Sequence, residues 1–283
     1  MKREIKKLFL LGFGFFWSLW LCGQSFTLLT WNIQDLGRSK TESELMAMVR
    51  IMRNYDLVLI QEVVAKDPAG AQRVAWLADA LDRSGSNWDY RVSPPTQSPS
   101  PYVRERYAIL WKASRLQLFE APRLDAELTE VCDREPYLAG FRLKGSQASF
   151  RVVNFHARRF DNHPDLEIEH FAAYPGRFAD APLLIAGDFN LDEQHAVWEP
   201  LKLLSYTPAL VQTPTTLKRK CKQGDYFNYP IDNIFYPQAE LILIESGRID
   251  FVGECNNLEQ ARGVSDHLPV YAQFEWRYPI PDN

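Results

Sequence analysis

Two short stretches, 56–61 (DLVLIQ) and 182–186 (PLLIA), carry continuous apolar runs bounded by polar or turn-forming residues. Runs of this length read as strands that are covered on both faces, which calls for a layered fold. FTLLTW (26–31) reads as a third buried strand. Residues 107–111, 137–143 and 150–155 alternate as half-buried strands do, and 231–235, 240–245 and 270–274 add later ones. Helical periodicity falls between them. Residues 42–53 place Leu45, Met48, Val49 and Met52 on one face, and 70–83 and 165–179 follow as further helices. Strands interleaved with helices predict an α/β chain. There is no internal repeat, and the Pro/Ser-rich segment 93–101 is too short for a domain linker, so residues 24–283 read as one domain. With 46% hydrophobic and 24% charged residues, disordered, collagen-like and coiled-coil chains are excluded.

The first residues follow a different rule. Lys2, Arg3, Lys6 and Lys7 precede an apolar run of 14 residues, Leu8 to Leu21, broken only by Ser18. That is short of the ~20 needed to span a bilayer. A basic head, a short apolar stretch and the small residues after it predict a secretory signal peptide over 1–23, hence a secreted or periplasmic protein. A buried core helix and lipidation at Cys22 are the alternatives, the latter disfavoured by bulky Leu21. Removing residues 1–23 takes the net charge from −4 to −7 and leaves Cys132, Cys221 and Cys255. Cys221 with Cys255 is the expected pair, since both lie in loop-like sequence; three free thiols remain the alternative. The negative charge excludes a protein that coats nucleic acid through bulk positive charge, but not one with a local basic patch.

Polar residues recur where the apolar strands end. Asn32 follows the first, Glu62 the second, His156 the middle pair, and Asp188 with Asn190 follow 182–186. Asp232 and Asn233 interrupt a later apolar run, and Asp266 with His267 precede the last strand. Any one of these could cap a turn or sit as a structural histidine. Strand ends in a layered α/β fold converge on one face, however, so together they predict a shared cleft. Carboxylates and asparagines without a thiolate cluster form a hard oxygen site, suited to Mg²⁺ or Mn²⁺, with Ca²⁺ a further candidate, and unsuited to structural zinc. No Gly-x-Ser-x-Gly elbow and no Gly-rich phosphate loop ending in Lys-Ser/Thr occurs. Two histidines beside carboxylates point to paired acid–base work, and the whole to metal-assisted phosphoester hydrolysis.

The ordered segments TWNIQ (30–34), LIQEV (59–63), RERYAILW (104–111), NFH (154–156), AGDFN (186–190), YPIDNIF (229–235) and SDHLPV (265–270) resemble the endonuclease/exonuclease/phosphatase superfamily. Within it the likeness is greatest to the deoxyribonuclease I branch, through RNYDLVLIQEV (53–63), Glu105-Arg106-Tyr107 and Arg134-Glu135-Pro136. The resemblance implies a four-layered α/β sandwich: two mostly antiparallel sheets packed together, with helices on both outer faces. It implies that His267, paired with Asp232, activates water, and that His156, oriented by Glu105, serves the departing oxygen. Glu62, Asp266, Asn32 and Asp188 would hold the metal, while Asp188 and Asn190 orient water or phosphate. Arg106 and Arg134 resemble phosphate-binding arginines. Tyr102 resembles a minor-groove aromatic, displaced by one inserted residue.

Lys218, Arg219, Lys220 and Lys222 stand where the branch has a DNA-facing loop, and Arg158 and Arg159 follow His156. A solvated loop is the ordinary reading of so short a basic run. Two departures stand out. Cys132 is alone where the branch has a small disulfide loop and a calcium site, and Asn233 replaces an arginine after Asp232. The resemblance implies a monomeric, metal-dependent phosphodiesterase with a DNA substrate, endonucleolytic with little sequence specificity, and not inserted in a membrane once the leader is removed. Hydrolysis of a lipid or small phosphodiester, and a non-catalytic binding module on the same fold, are the competing expectations.

Overall fold

The computed structural model describes residues 24–98, 100 and 103–277, so the segment read as a signal peptide and Tyr102 lie outside the described residues. One six-stranded sheet contains β1 (Ser25–Leu36), β2 (Leu57–Val64), β3 (Trp88–Val92), β4 (Glu105–Lys112), β13 (Leu241–Arg248) and β14 (Val270–Trp276), in the order β13-β14-β1-β2-β4-β3. The other contains β5 (Leu116–Leu124), β6 (Tyr137–Leu143), β7 (Ser149–His156), β8 (Leu183–Asp188), β9 (Tyr206–Pro208) and β12 (Asp232–Pro237), in the order β5-β6-β7-β8-β12-β9. A separate hairpin joins β10 (Leu217–Lys222) to β11 (Asp225–Phe227). Among the described residues, only β1 with β2 and β7 with β8 pair in parallel.

Alternation along the strands builds the layers. Leu28, Leu57, Leu59, Ile109 and Trp111 of the first sheet meet Phe141, Phe150, Val152, Leu184 and Ile234 of the second in one core. Phe26 stacks on Phe150 across that interface with ring centroids 4.0 Å apart. The intervening residues Leu29, Trp31, Val58 and Ile60 pack outward beneath α1 (Glu42–Met52) and α2 (Ala69–Asp82). On the far side Val153, Phe155, Ile185 and Phe235 are covered by α3 (Asp165–Ile168), α4 (Tyr174–Arg177) and α5 (Glu199–Leu203). The four-layered sandwich expected from the sequence is present. Helix α1 starts at a reciprocal cap: Glu44 N donates to Thr41 Oγ1, and Thr41 N donates to Glu44 Oε2 at 2.7 Å.

Three expectations need correction. Residues 165–179 are not one helix; α3 and α4 are separate single turns joined by the 3₁₀ stretch Glu169–Ala173. Pro175, which lacks an N–H, lies in the first turn of α4 and would break a continuous helix. The basic run at 218–222 is strand β10, not a loop. Strand β5 was missed because Glu120, Pro122 and Arg123 interrupt its alternation, which an edge strand tolerates. The pairing of Cys221 with Cys255 is present. The bond ties β10 to the turn before α6 (Leu258–Val264), over a small core of Leu217, Tyr226, Val252, Leu258, Ala261 and Leu268. Cys132 is a buried free thiol.

One buried ion cluster secures the outer helical layer. Asp125 accepts from Arg177 Nη1 and Nη2 at 2.6 and 2.8 Å and from Tyr174 Oη at 2.5 Å. Burial pushes the Asp125 carboxyl up, but the hydrogen bonds and the guanidinium charge outweigh it and hold the pKa below the usual carboxylate value. A folded-state pKa below the unfolded one contributes stability above about pH 4, which is lost as pH falls through the folded value. Asp125→Asn is therefore expected to lower the melting temperature more at pH 7 than at pH 3, where the unfolded carboxyl is already mostly protonated. Equal losses at both pH values in a melting series would contradict this assignment.

Candidate active site

Topology brings the polar strand ends together. The carboxyl ends of β1, β2, β7 and β8 meet the amino ends of β4, β12 and β14 at one edge of the sandwich. Toward this edge the inner faces turn from apolar to polar. Gln61 Nε2 donates to Thr30 Oγ1 at 2.9 Å and across the sheets to Asn154 Oδ1 at 2.6 Å, and Asn154 Nδ2 donates to the carbonyls of Ile60 and Ala108. Above this floor stand Asn32, Glu62, Glu105, His156, Asp188, Asp232 and His267.

The two histidines are arranged alike. His156 Nδ1 lies 2.9 Å from Glu105 Oε2, and its Nε2 is 3.5 Å from Asp188 Oδ2. His267 Nδ1 lies 2.9 Å from Asp232 Oδ2, and its Nε2 is 3.7 Å from the same Asp188 oxygen. Each carboxylate fixes its ring's orientation and leaves Nε2 facing the centre. Arg134 Nε sits 2.8 Å from Glu105 Oε2, and Thr215 Oγ1 donates to Asp232 Oδ2 at 2.6 Å. Asn32 Nδ2 donates to Glu62 Oε1 at 2.9 Å and Asp188 Oδ2 at 3.0 Å. Asp188 Oδ1 accepts from Asn190 N at 2.9 Å, while Asn190 Nδ2 donates to Ala157 O. Asn190 and Glu62 both take left-handed backbone angles, φ 50° and 60°, so the site holds strained backbone at two positions.

Charge is out of balance here. The Glu62, Glu105, Asp188 and Asp232 carboxylates face one guanidinium in contact with them, Arg134. Burial opposes the charged form of both imidazoles, yet the adjoining carboxylates win. His156 is raised above the usual histidine value by Glu105 and Asp188, and His267 is raised to about 10 by Asp232 and Asp188. Glu105 is lowered despite its burial by His156 and Arg134. Asp232, buried beside Asp188, is raised. A divalent cation fits this set. Asn32 Nδ2 bonds both the Glu62 and the Asp188 carboxylates, and the buried Asn32 Oδ1 beside them has no hydrogen-bond partner. The donors are hard, as Mg²⁺, Mn²⁺ or Ca²⁺ require.

Other expected residues lie at varying distances from the centre. Asp266 is held 3.3 Å from Arg262 Nη2 on α6. Arg106 follows Glu105 on β4, so its side chain takes the opposite face of the strand, and its Nη1 donates to Ser93 O. Arg158 is tied down by Glu167 and Asp133, whereas Arg159 is exposed. Lys218 pairs with Asp225 at 2.6 Å. Arg219, Lys220 and Lys222 are exposed and, among the described residues, form no ion pair. The positions of Thr215, Ser265 and Lys40 escaped sequence reasoning. Ser265 Oγ donates to Asn32 O, and Lys40 Nζ, lowered by burial, caps α6 through Gly263 O and Val264 O. No motif marks Thr215 or Lys40, and SDHLPV includes Ser265 without disclosing its part, since each acts on backbone or on another side chain.

The chain belongs to the endonuclease/exonuclease/phosphatase family, which matches residues 29–267. A deoxyribonuclease of a Thioalkalivibrio species is 29% identical, covering 88% of this chain and 70% of its own. Bovine deoxyribonuclease-1 is 27% identical, covering 88% of this chain and 92% of its own. Among solved structures, an endonuclease/exonuclease/phosphatase family protein of Bacteroides thetaiotaomicron superposes with a TM-score of 0.65 at 14% identity, covering 90% of this chain and 98% of its own.

Gly187 shows how tightly the centre is built. Its φ is 146°, and a Cβ there would lie 1.8 Å from Phe155 O on the parallel neighbour. Gly187→Ala is expected to destabilise the protein by at least about 2 kcal/mol and to displace Asp188. An unchanged denaturation midpoint would show that β7 and β8 are not so closely paired.

Proposed function

We propose that this member of the endonuclease/exonuclease/phosphatase family is an exported, divalent-metal-dependent nuclease that cuts DNA phosphodiester bonds endonucleolytically with little sequence specificity. The observation that carries the reading is the convergence of two carboxylate-anchored imidazoles on one Asp188 oxygen, at 3.5 and 3.7 Å. The likeness to deoxyribonucleases over 88% of the chain supports DNA as substrate. The basic head and short apolar run of residues 1–23 support export. Among the described residues, no helix is long and apolar enough to cross a membrane.

In this reading a cation held beside Asp188 would bring down the raised His267 pKa, so that neutral His267 Nε2 takes a proton from the attacking water and Asp232 stabilises the imidazolium formed. The water oxygen bonds to phosphorus, and the phosphorus–oxygen bond to the departing sugar oxygen breaks. His156, kept protonated by Glu105, gives its Nε2 proton to that oxygen. Asn190 and Asp188 hold the water and the phosphate in line. Glu62, Asn32 and Asp188 would hold the cation, which would offset charge on the phosphoryl oxygens. Arg134 serves by fixing Glu105 from beneath. The β10–β11 hairpin starts beside His267, since Thr216 bridges to it, and offers Arg219, Lys220 and Lys222 to the phosphate backbone.

The purified protein is expected to nick supercoiled plasmid with Mg²⁺ or Mn²⁺ and to stop on addition of chelator. His156→Ala and His267→Ala should each slow turnover by about 10²–10⁴-fold. A near-normal rate in either variant would remove that histidine from its role. Replacing Arg219, Lys220 and Lys222 together by Gln should flatten the plot of log binding constant against log salt by up to about 0.9 per charge. Lys218→Gln, already neutralised by Asp225, should barely move the slope. Equal effects from the single and the triple change would assign the hairpin a structural part only.

A further inference from the structure

We infer that Glu167 is a positioning residue for the proton transfer assigned to His156, acting through the two chain segments that hold the line His156–Glu105–Arg134; this rests on the nuclease reading above. Glu167 lies on α3, outside the site, and is fully buried. Its Oε1 accepts from Asp133 N at 2.6 Å, and its Oε2 accepts from Arg158 N at 2.7 Å. Arg158 Nε lies 2.9 Å from Oε1 and supplies the opposite charge, while Arg158 Nη2 donates to Val131 O at 2.6 Å. A buried carboxylate is tolerated only when paired and hydrogen-bonded, and here two of its donors are backbone groups of remote segments. One side chain thus joins the residue before Arg134 to the second residue after His156.

Neither segment belongs to a helix or a strand. Residues 129–136 and 157–159 are turns and irregular chain, so side chains must place what no ladder places. In each, the neighbour of the held residue belongs to the site. Arg134 Nε is 2.8 Å from Glu105 Oε2, and the same oxygen is 2.9 Å from His156 Nδ1. Arg134 Nη1 also donates to Ala157 O at 3.4 Å, and that carbonyl accepts from Asn190 Nδ2 at 3.1 Å. Ala157, between His156 and the clamped Arg158, is therefore where the contacts of Arg134 and Asn190 meet. On the other flank of Arg134, Glu135 accepts from Gln97 N at 2.9 Å. Arg134 is fixed between two carboxylate anchors, and Glu167 is the one that also reaches the segment leaving His156. Releasing it lets the guanidinium that orients Glu105 move independently of the ring that Glu105 orients. A displacement of about 1 Å in such a group can cost up to about 10²-fold in rate.

The test is a double-mutant cycle read as steady-state cleavage of a DNA duplex with Mg²⁺ by wild type, Glu167→Gln, His156→Ala and the double variant. Glutamine keeps the size of the side chain but turns an N–H₂ group toward a backbone N–H. Glu167→Gln is expected to lower kcat about tenfold, with KM unchanged within about twofold. In the His156→Ala background the same change should lower kcat by no more than about twofold, because the group being positioned is gone. Asp56→Asn is the control: this buried carboxylate accepts from Thr27 N at 3.1 Å at the amino end of β2, the end opposite Glu62, and its loss should leave kcat unchanged. If Glu167→Gln does not fold, Glu167→Asp replaces it, since a shorter acid keeps the charge but cannot span both donors; failure of both to fold would make Glu167 a folding residue and overturn the inference. An equal fall of kcat in the two backgrounds, a wild-type kcat in the single variant, or an equal loss in Asp56→Asn would overturn it too, while the nuclease reading stands. A wild type that cleaves no DNA, or His156→Ala at the wild-type rate, overturns the functional reading and this inference with it.

Discussion

Three of the pairings that build the site cross from one sheet to the other. His156 on β7 meets Glu105 on β4, His267 before β14 meets Asp232 on β12, and Asn32 on β1 meets Asp188 on β8. None of these contacts exists within a single sheet, so the relative position of the sheets is the constraint on which the rest depends. Apolar inner faces hold the layers together but are weak at fixing how far one slides over the other. The buried hydrogen bonds of Gln61 and Asn154, set where the apolar core ends, supply that direction. A satisfied polar group in such a place specifies one arrangement because every shifted one leaves it unpaired.

That division explains which parts could be read along the chain. Strands with unbroken apolar runs, such as 183–186, announce their burial, and polar residues that end them stand out against it. Asn32, Glu62, His156, Asp188, Asp232 and His267 were legible for this reason. Residues that act on the backbone were not. Lys40 caps α6 and Ser265 holds the carbonyl of Asn32, yet neither interrupts a pattern. The helical reading of 165–179 failed at Pro175, because the apolar spacing persists through a backbone that cannot continue.

The unequal fates of the basic residues also have a physical source. Arg134 and Arg158 are drawn inward by buried carboxylates, Glu105 and Glu167, whose solvation they replace. Arg219, Lys220 and Lys222 find no acid within reach on an exposed hairpin and stay available. Sequence cannot separate the two groups, since the deciding carboxylates come from remote segments. The separation shapes the field of a chain whose overall charge is negative, leaving exposed cationic side chains on the hairpin that begins next to His267.

The bond between Cys221 and Cys255 closes a loop of 34 residues that contains β12, and therefore Asp232. Closing a ring of that length removes conformational freedom from the denatured ensemble worth about 4 kcal/mol on the chain-entropy account. Whole domains are commonly stable by about 5–15 kcal/mol. The oxidation state of two sulfur atoms thus enters the folding equilibrium of the entire sandwich, and an acid that orients His267 is kept in place partly by how few shapes the unfolded polymer can adopt.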